Sequence, residues 1–192
     1  MLRDMSEATC LALTRQWDSH RNPFSDTWKT LVREKRPLLV ELACYENSIL
    51  SSEVERRFGA GSSVRLSEWN GADLETAKGV ALAKKMIGRL RPMHVWISCE
   101  CAFCPLQRLN RKTEEQRIKL DEKQSRARRQ YSGAIEVANY AMKRNIQVHW
   151  ELAQRSEAWA LPEIVDFIER QKIQKVSCAG AVLAFARSTS PS

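Results

Sequence analysis

At 192 residues and 22.0 kDa, the chain is sized for one globular domain with a substantial core. A hydrophobic content of 43% excludes a chain disordered along its length. The balance of 31 Lys and Arg against 23 Asp and Glu gives a net charge of +8, which favours nucleic acid, an acidic partner or an anionic surface and selects none of them.

In chain order, residues 1–36 read as a helical extension. Ser6 can cap a helix carrying Leu11, Leu13 and Trp17, and Ser25 a second carrying Trp28, Leu31 and Val32. No continuous apolar signal region is visible there, and Asp4, Glu7 and Asp18 oppose a transit peptide. The uncharged apolar stretch 176–186 is far short of the roughly 20 residues a spanning helix needs. The expectation is a soluble, intracellular chain with no membrane span.

From Pro37 strands and helices alternate. PLLVELAC (37–44) is a continuous apolar run, as for a strand buried on both faces. SSEVERRFG (51–59) reads as a short helix, SVRLS (63–67) as a second strand, and residues 75–90 carry apolar side chains at helical spacing up to Pro92. MHVWIS (93–98) is a third strand. Thr113 with Gln116 makes a capping box for a long helix reaching about Arg144, charged in its first half and apolar-striped in its second. IQVHWE (146–151) is a fourth strand, Pro162 opens a helix over 163–171, and KVSC (175–178) is a fifth strand.

This alternation predicts a three-layer, Rossmann-like α/β domain over residues 37–180, a parallel sheet of about five strands with helices on both faces, followed by a tail over 181–192. In such folds ligands sit beyond the carboxyl ends of the strands, so the informative loops are 43–51, 67–75, 98–112 and 151–161. The first reads YENSILSS after VELAC. The second, SEWNGADLET, puts Glu68 at a strand end and Asp73 five positions on, where an acid commonly holds a ribose hydroxyl; the alternative is a solvated acid capping the next helix. The third, SCECAFCPLQRLN, packs three of the six cysteines into one loop. In the fourth, Glu151 ends a strand and points toward the same crevice, or is a simple surface carboxylate.

The order VELAC, EWNGADLE, HVWISCECAFCPLQRLN and VHWE resembles class I S-adenosylmethionine-dependent methyltransferases, nearest the cytosine-C5 DNA type and methyltransferase-like segments of retroelement polyproteins. The resemblance covers about residues 37–180. It implies that Glu41 and Ala43 lie at the cofactor loop and that Glu68 or Asp73 contacts the cofactor. It also implies that Cys101 is the nucleophile and Glu151 the carboxylate holding the base. That chemistry needs a thiolate that adds to the pyrimidine ring while a carboxylate hydrogen-bonds a ring nitrogen, on a base flipped from a duplex or already single-stranded.

The chain departs from the family pattern in four places. Cys99 and Glu100 stand where the family has prolines, and Glu100 puts a negative charge beside Cys101, which disfavours a thiolate. Few residues separate SVRLS from GADLE, where a full methyltransferase fits a helix and a strand. No closing β-hairpin or target-recognition region is expected after the fifth strand. Two readings follow: a degenerate, non-catalytic domain serving as a binding or assembly subunit with a protein partner, or an active S-adenosylmethionine-dependent cytosine methyltransferase on nucleic acid.

Two further features bear on ligands. Cys99, Cys101 and Cys104 are spaced C-x-C-x2-C, but a structural zinc wants four ligands, the fourth would have to come from Cys44, Cys178, His94 or His149, and no second C-x2-C exists; small hydrophobes packed under the loop are the alternative. The basic stretch 108–129, with Arg108, Arg111, Lys112, Arg126, Arg128 and Arg129, can track a phosphate backbone, or can be a solvated helix face with pairs such as Glu115–Lys119.

Overall fold

The computed structural model describes residues 36–105, 107, 113–178 and 181–185. Apart from Arg36, the expected helical extension over 1–36 lies outside them, as do Arg108, Arg111 and Lys112. Ten elements build the domain: β1 (Leu39–Leu42), α1 (Ile49–Phe58), β2 (Ser63–Leu66), α2 (Ala77–Leu90), β3 (His94–Ile97), α3 (Glu114–Met142), β4 (Gln147–Ala153), α4 (Pro162–Arg170), β5 (Gln174–Cys178) and β6 (Ala181–Phe185).

The sheet order is β2-β1-β3-β4-β6-β5. The first four strands are parallel, with Leu42 beside Leu66 on one side and Ile97 on the other, and Ile97 beside Trp150. The architecture is the expected α/β one, with helices on both faces. β6 is the departure. It falls within the stretch read as a tail, lies antiparallel between β4 and β5, and makes with β5 the closing antiparallel pair that the sequence reading left out. A short apolar run such as AVLAF carries no mark of its direction, and a reversal of the chain after KVSC is invisible to periodicity.

Local chemistry explains the element ends. Thr113 accepts from the Gln116 N–H at 3.3 Å while Gln116 accepts from the Thr113 N–H at 3.2 Å, the capping box read from sequence. α1 starts earlier than expected because Ser48 is its cap, leaving Ser51 buried inside the first turn with its hydroxyl turned elsewhere. Pro162 opens α4 as predicted.

The two faces of the sheet are packed differently. Val40, Leu42, Val95, Ile97, Val148, Trp150 and Leu152 meet α2, α3 and α4 in one apolar core with Val80, Ile87, Tyr131, Val137, Ile164 and Phe167. Gly133 of α3 lets that helix close on the loop before α2: a Cβ there would stand 2.0 Å from the Leu74 carbonyl oxygen. On the opposite face α1 sets Leu50, Val54 and Phe58 against Leu38, Leu39, Met93 and Trp96. Among the described residues no helix is long and apolar enough to cross a membrane.

Candidate functional site

Strand periodicity decides what each face presents. Glu41, Trp96 and His149 share one row across β1, β3 and β4, and all belong to the α1 face; His94 lies a step before Trp96 and Glu151 a step after His149. Trp96 donates its Nε1–H to Glu151 at 3.3 Å and stacks on His149 with ring centroids 5.4 Å apart. His94 Nδ1 and His149 Nε2 are 2.9 Å apart, so one ring donates to the other.

Burial governs the charges in this row. It raises the Glu41 and Glu151 carboxyls above their ordinary range, and the charge of Glu41 pushes Glu151 further. It lowers His94 to about 4 and His149 well below its usual value, with the charge of His94 adding to the second effect. Near neutrality both imidazoles are therefore uncharged, and the two carboxyls hold protons more tightly than free ones do.

At the β1 loop, Glu41 is spent on its own chain. Its two carboxylate oxygens accept from Ser48 Oγ at 2.8 Å and Ser51 Oγ at 2.6 Å, pinning the loop to the first turn of α1. Ala43 follows with φ of 55°, a left-handed conformation that costs a residue with a side chain on the order of 1 kcal/mol and that turns the chain sharply at the strand end. Cys44 is buried, and burial first, then the charge of Glu41, lifts its thiol to about 12. Tyr45 is 79% exposed, and Trp69, in the loop after β2, 50%.

The two acids of the second loop separate. Glu68 is exposed and pairs with Arg126 of α3. Asp73 serves the chain itself: its Oδ1 accepts from the Glu75 N–H at 2.9 Å, and its backbone carbonyl accepts from Thr76 Oγ1 at 3.1 Å, just before α2. Glu75, not singled out from sequence, pairs with both Arg126 and Arg129. Arg128 lies over the Phe103 ring at 5.9 Å. Lys123 pairs with Glu100, Lys119 with Glu115 and Arg117 with Glu114. Of these pairs Lys119–Glu115 and Arg117–Glu114 lie within α3, and the others tie it to the second and third loops.

The cysteine loop is held from two sides. Tyr131 donates its hydroxyl to the Glu100 carbonyl at 2.9 Å, Gln130 accepts from the Glu100 N–H at 3.2 Å, and Gln124 reaches the Ala102 carbonyl at 3.4 Å. From the other side Glu157 N–H donates to the Phe103 carbonyl at 2.9 Å. These bonds fix the loop backbone against α3 and against the segment after β4. Cys99 is buried in the apolar core, which raises its thiol strongly. Cys101 is half-buried and donates its thiol to Ser156 Oγ at 3.1 Å. Among the described residues no three His, Cys, Asp or Glu side chains converge so as to hold a metal ion.

The nominated residues therefore fall into two settings. Glu41 and Glu151 share the α1 face, and the charge of Glu41 adds to the rise of the Glu151 carboxyl caused by burial. Cys101 keeps company with Ala102, Phe103, Tyr131 and Ser156, the first three in the opposite core. Its thiol and the Glu151 carboxylate have no hydrogen-bond partner in common. Sequence reading named His94 and His149 only as possible zinc ligands and missed their contact with each other, although HVW in β3 and VHWE in β4 carry the period-two alternation that puts these side chains on one face.

Compared with known protein families, curated sequences and solved structures, the chain has no significant match.

Proposed function

We propose that this chain is a methyltransferase-like domain that has given up thiolate catalysis and works as a binding or assembly subunit for an acidic protein partner. The reading rests on one observation above the others. Cys101 donates to Ser156 on the α3 side, while Glu151 accepts from Trp96 on the α1 side. Addition to a pyrimidine ring needs a thiolate and a carboxylate directed at the same ring, and each of these groups is engaged with a different neighbour. The net charge of +8 supports an acidic partner.

The methyltransferase ancestry is supported by the strand order and by the closing antiparallel pair β5–β6, both of which suit the family's sheet. The left-handed turn at Ala43 and the exposed Trp69 beside Glu68 favour a second reading on one point: the loops after β1 and β2 carry a backbone turn and an aromatic surface of the kind a nucleoside-bearing cofactor uses.

The test separates cofactor retention from chemistry. The chain is titrated calorimetrically with S-adenosylmethionine, then incubated with methyl-labelled cofactor and a cytosine-rich single strand. Our reading expects no label in the strand from either the unaltered chain or Cys101→Ala, whether or not the cofactor binds. Label transfer by the unaltered chain that disappears in Cys101→Ala would establish the enzyme instead.

A further inference from the structure

Among the described residues β2 is the edge of the sheet on its side, with β1 as its only strand neighbour. Its backbone groups alternate in direction. The carbonyls of Ser62 and Leu66 accept from Leu39 and Ala43 across the β1 ladder at 3.1 and 2.9 Å, so the groups of the alternate residues Ser63 and Arg65, and the N–H of Ser67, point away from the sheet. An outward row of this kind is a template for another strand, and proteins generally cover or blunt it.

Among the described residues, one side chain covers part of this row. The Asn70 amide nitrogen donates to the Arg65 carbonyl at 2.6 Å, and its oxygen accepts from the Ser67 N–H at 2.9 Å. Those are the two bonds that one residue of a neighbouring parallel strand would make, donating to the carbonyl one step before its partner and accepting from the N–H one step after. The Glu68–Asn70 turn delivers the amide there, and Gly71, left-handed at φ 87°, closes the turn with its N–H on the Glu68 carbonyl.

We propose that Asn70 is a strand-mimicking plug: it closes the free edge of β2 and keeps copies of this chain from pairing edge to edge. Asn70 also completes a capping box with Ser67, and a purely local cap would leave association untouched.

Sedimentation velocity over a hundredfold concentration range, with amide exchange at Ser67, distinguishes the two. In the unaltered chain the Ser67 amide is expected to exchange slowly. Asn70→Ala should speed that exchange at least tenfold and sediment as larger species as concentration rises. Asn70→Asp keeps the acceptor for Ser67 but cannot donate to Arg65; it should retain Ser67 protection and associate less than Asn70→Ala but more than the unaltered chain. If Asn70→Ala does not fold, Asn70→Asp decides. An unprotected Ser67 amide in the unaltered chain overturns the proposal, as does a folded variant that sediments like the unaltered chain at every concentration.

Discussion

The two faces of the central sheet are built from the same four parallel strands, yet they solve burial by different means. Toward α2, α3 and α4 every inward side chain of β1, β3 and β4 is apolar, and the core is closed by Tyr131, Trp150 and Phe167. Toward α1 the same strands present Glu41, His94, Trp96, His149 and Glu151, which bond to one another and to serine hydroxyls. One face derives its stability from area removed from water, which is insensitive to pH; the other depends on protonation states matched to burial. The difference teaches that a central sheet can bury a polar row when its members bond to one another and to nearby side chains. Here Glu41 accepts from two serines and Glu151 from Trp96.

The largest expected effect breaks the apolar face. Phe167→Ala, at a fully buried position against Trp150, should cost about 3–5 kcal/mol in urea unfolding, at pH 5 and at pH 8 alike. A loss below about 1 kcal/mol, or one that varies with pH, would mean the core is not organised as described.

On the polar face the effect should be smaller and should depend on pH in two opposite senses. The folded His94 is lowered from 6.5 to about 4, so the stability it contributes is complete above 6.5 and is lost as pH falls toward 4. Relative to His94→Gln, the unaltered chain should therefore lose about 2 kcal/mol between pH 7 and pH 5. Glu151 is raised, so its contribution is present below 4.5 and is lost as pH rises through its folded value. Glu151→Gln should accordingly gain on the unaltered chain as pH goes from 5 to 8. Profiles of the three proteins that run parallel across this range would remove the distinction between the faces.

The smallest effect belongs to the rim. Arg126 bridges Glu68 and Glu75 from an exposed position, and Arg126→Ala should cost no more than about 1 kcal/mol, a cost that shrinks in high salt. A large, salt-insensitive loss would show that the link between the second loop and α3 does more than screen charge.

Much of this architecture was legible from short-range signals. The apolar runs at 37–44 and 93–98, the helical spacing over 75–90, the Thr113–Gln116 box and Pro162 all announce elements that the structure contains in that order. These signals are local: caps, turns and periodicity act within about one helical turn or one strand, so the sequence by itself determined the alternation and hence the layered α/β class. It also put Glu41, Cys101 and Glu151 in or beside strand-end loops, which is as far as local order reaches.

What only the tertiary structure decided is which of these residues meet. Trp96 and Glu151, like His94 and His149, lie 55 positions apart in sequence, and Arg126 and Glu68 lie 58 apart. Their contacts follow from the register of neighbouring strands and from where α3 crosses the second loop, neither of which any single segment encodes. The direction of β6 and the plug at Asn70 have the same origin, since a strand's free edge exists only once its neighbours are in place. Sequence supplied the groups, and packing assigned their partners, because a hydrogen bond or a buried charge is a property of two surfaces brought together.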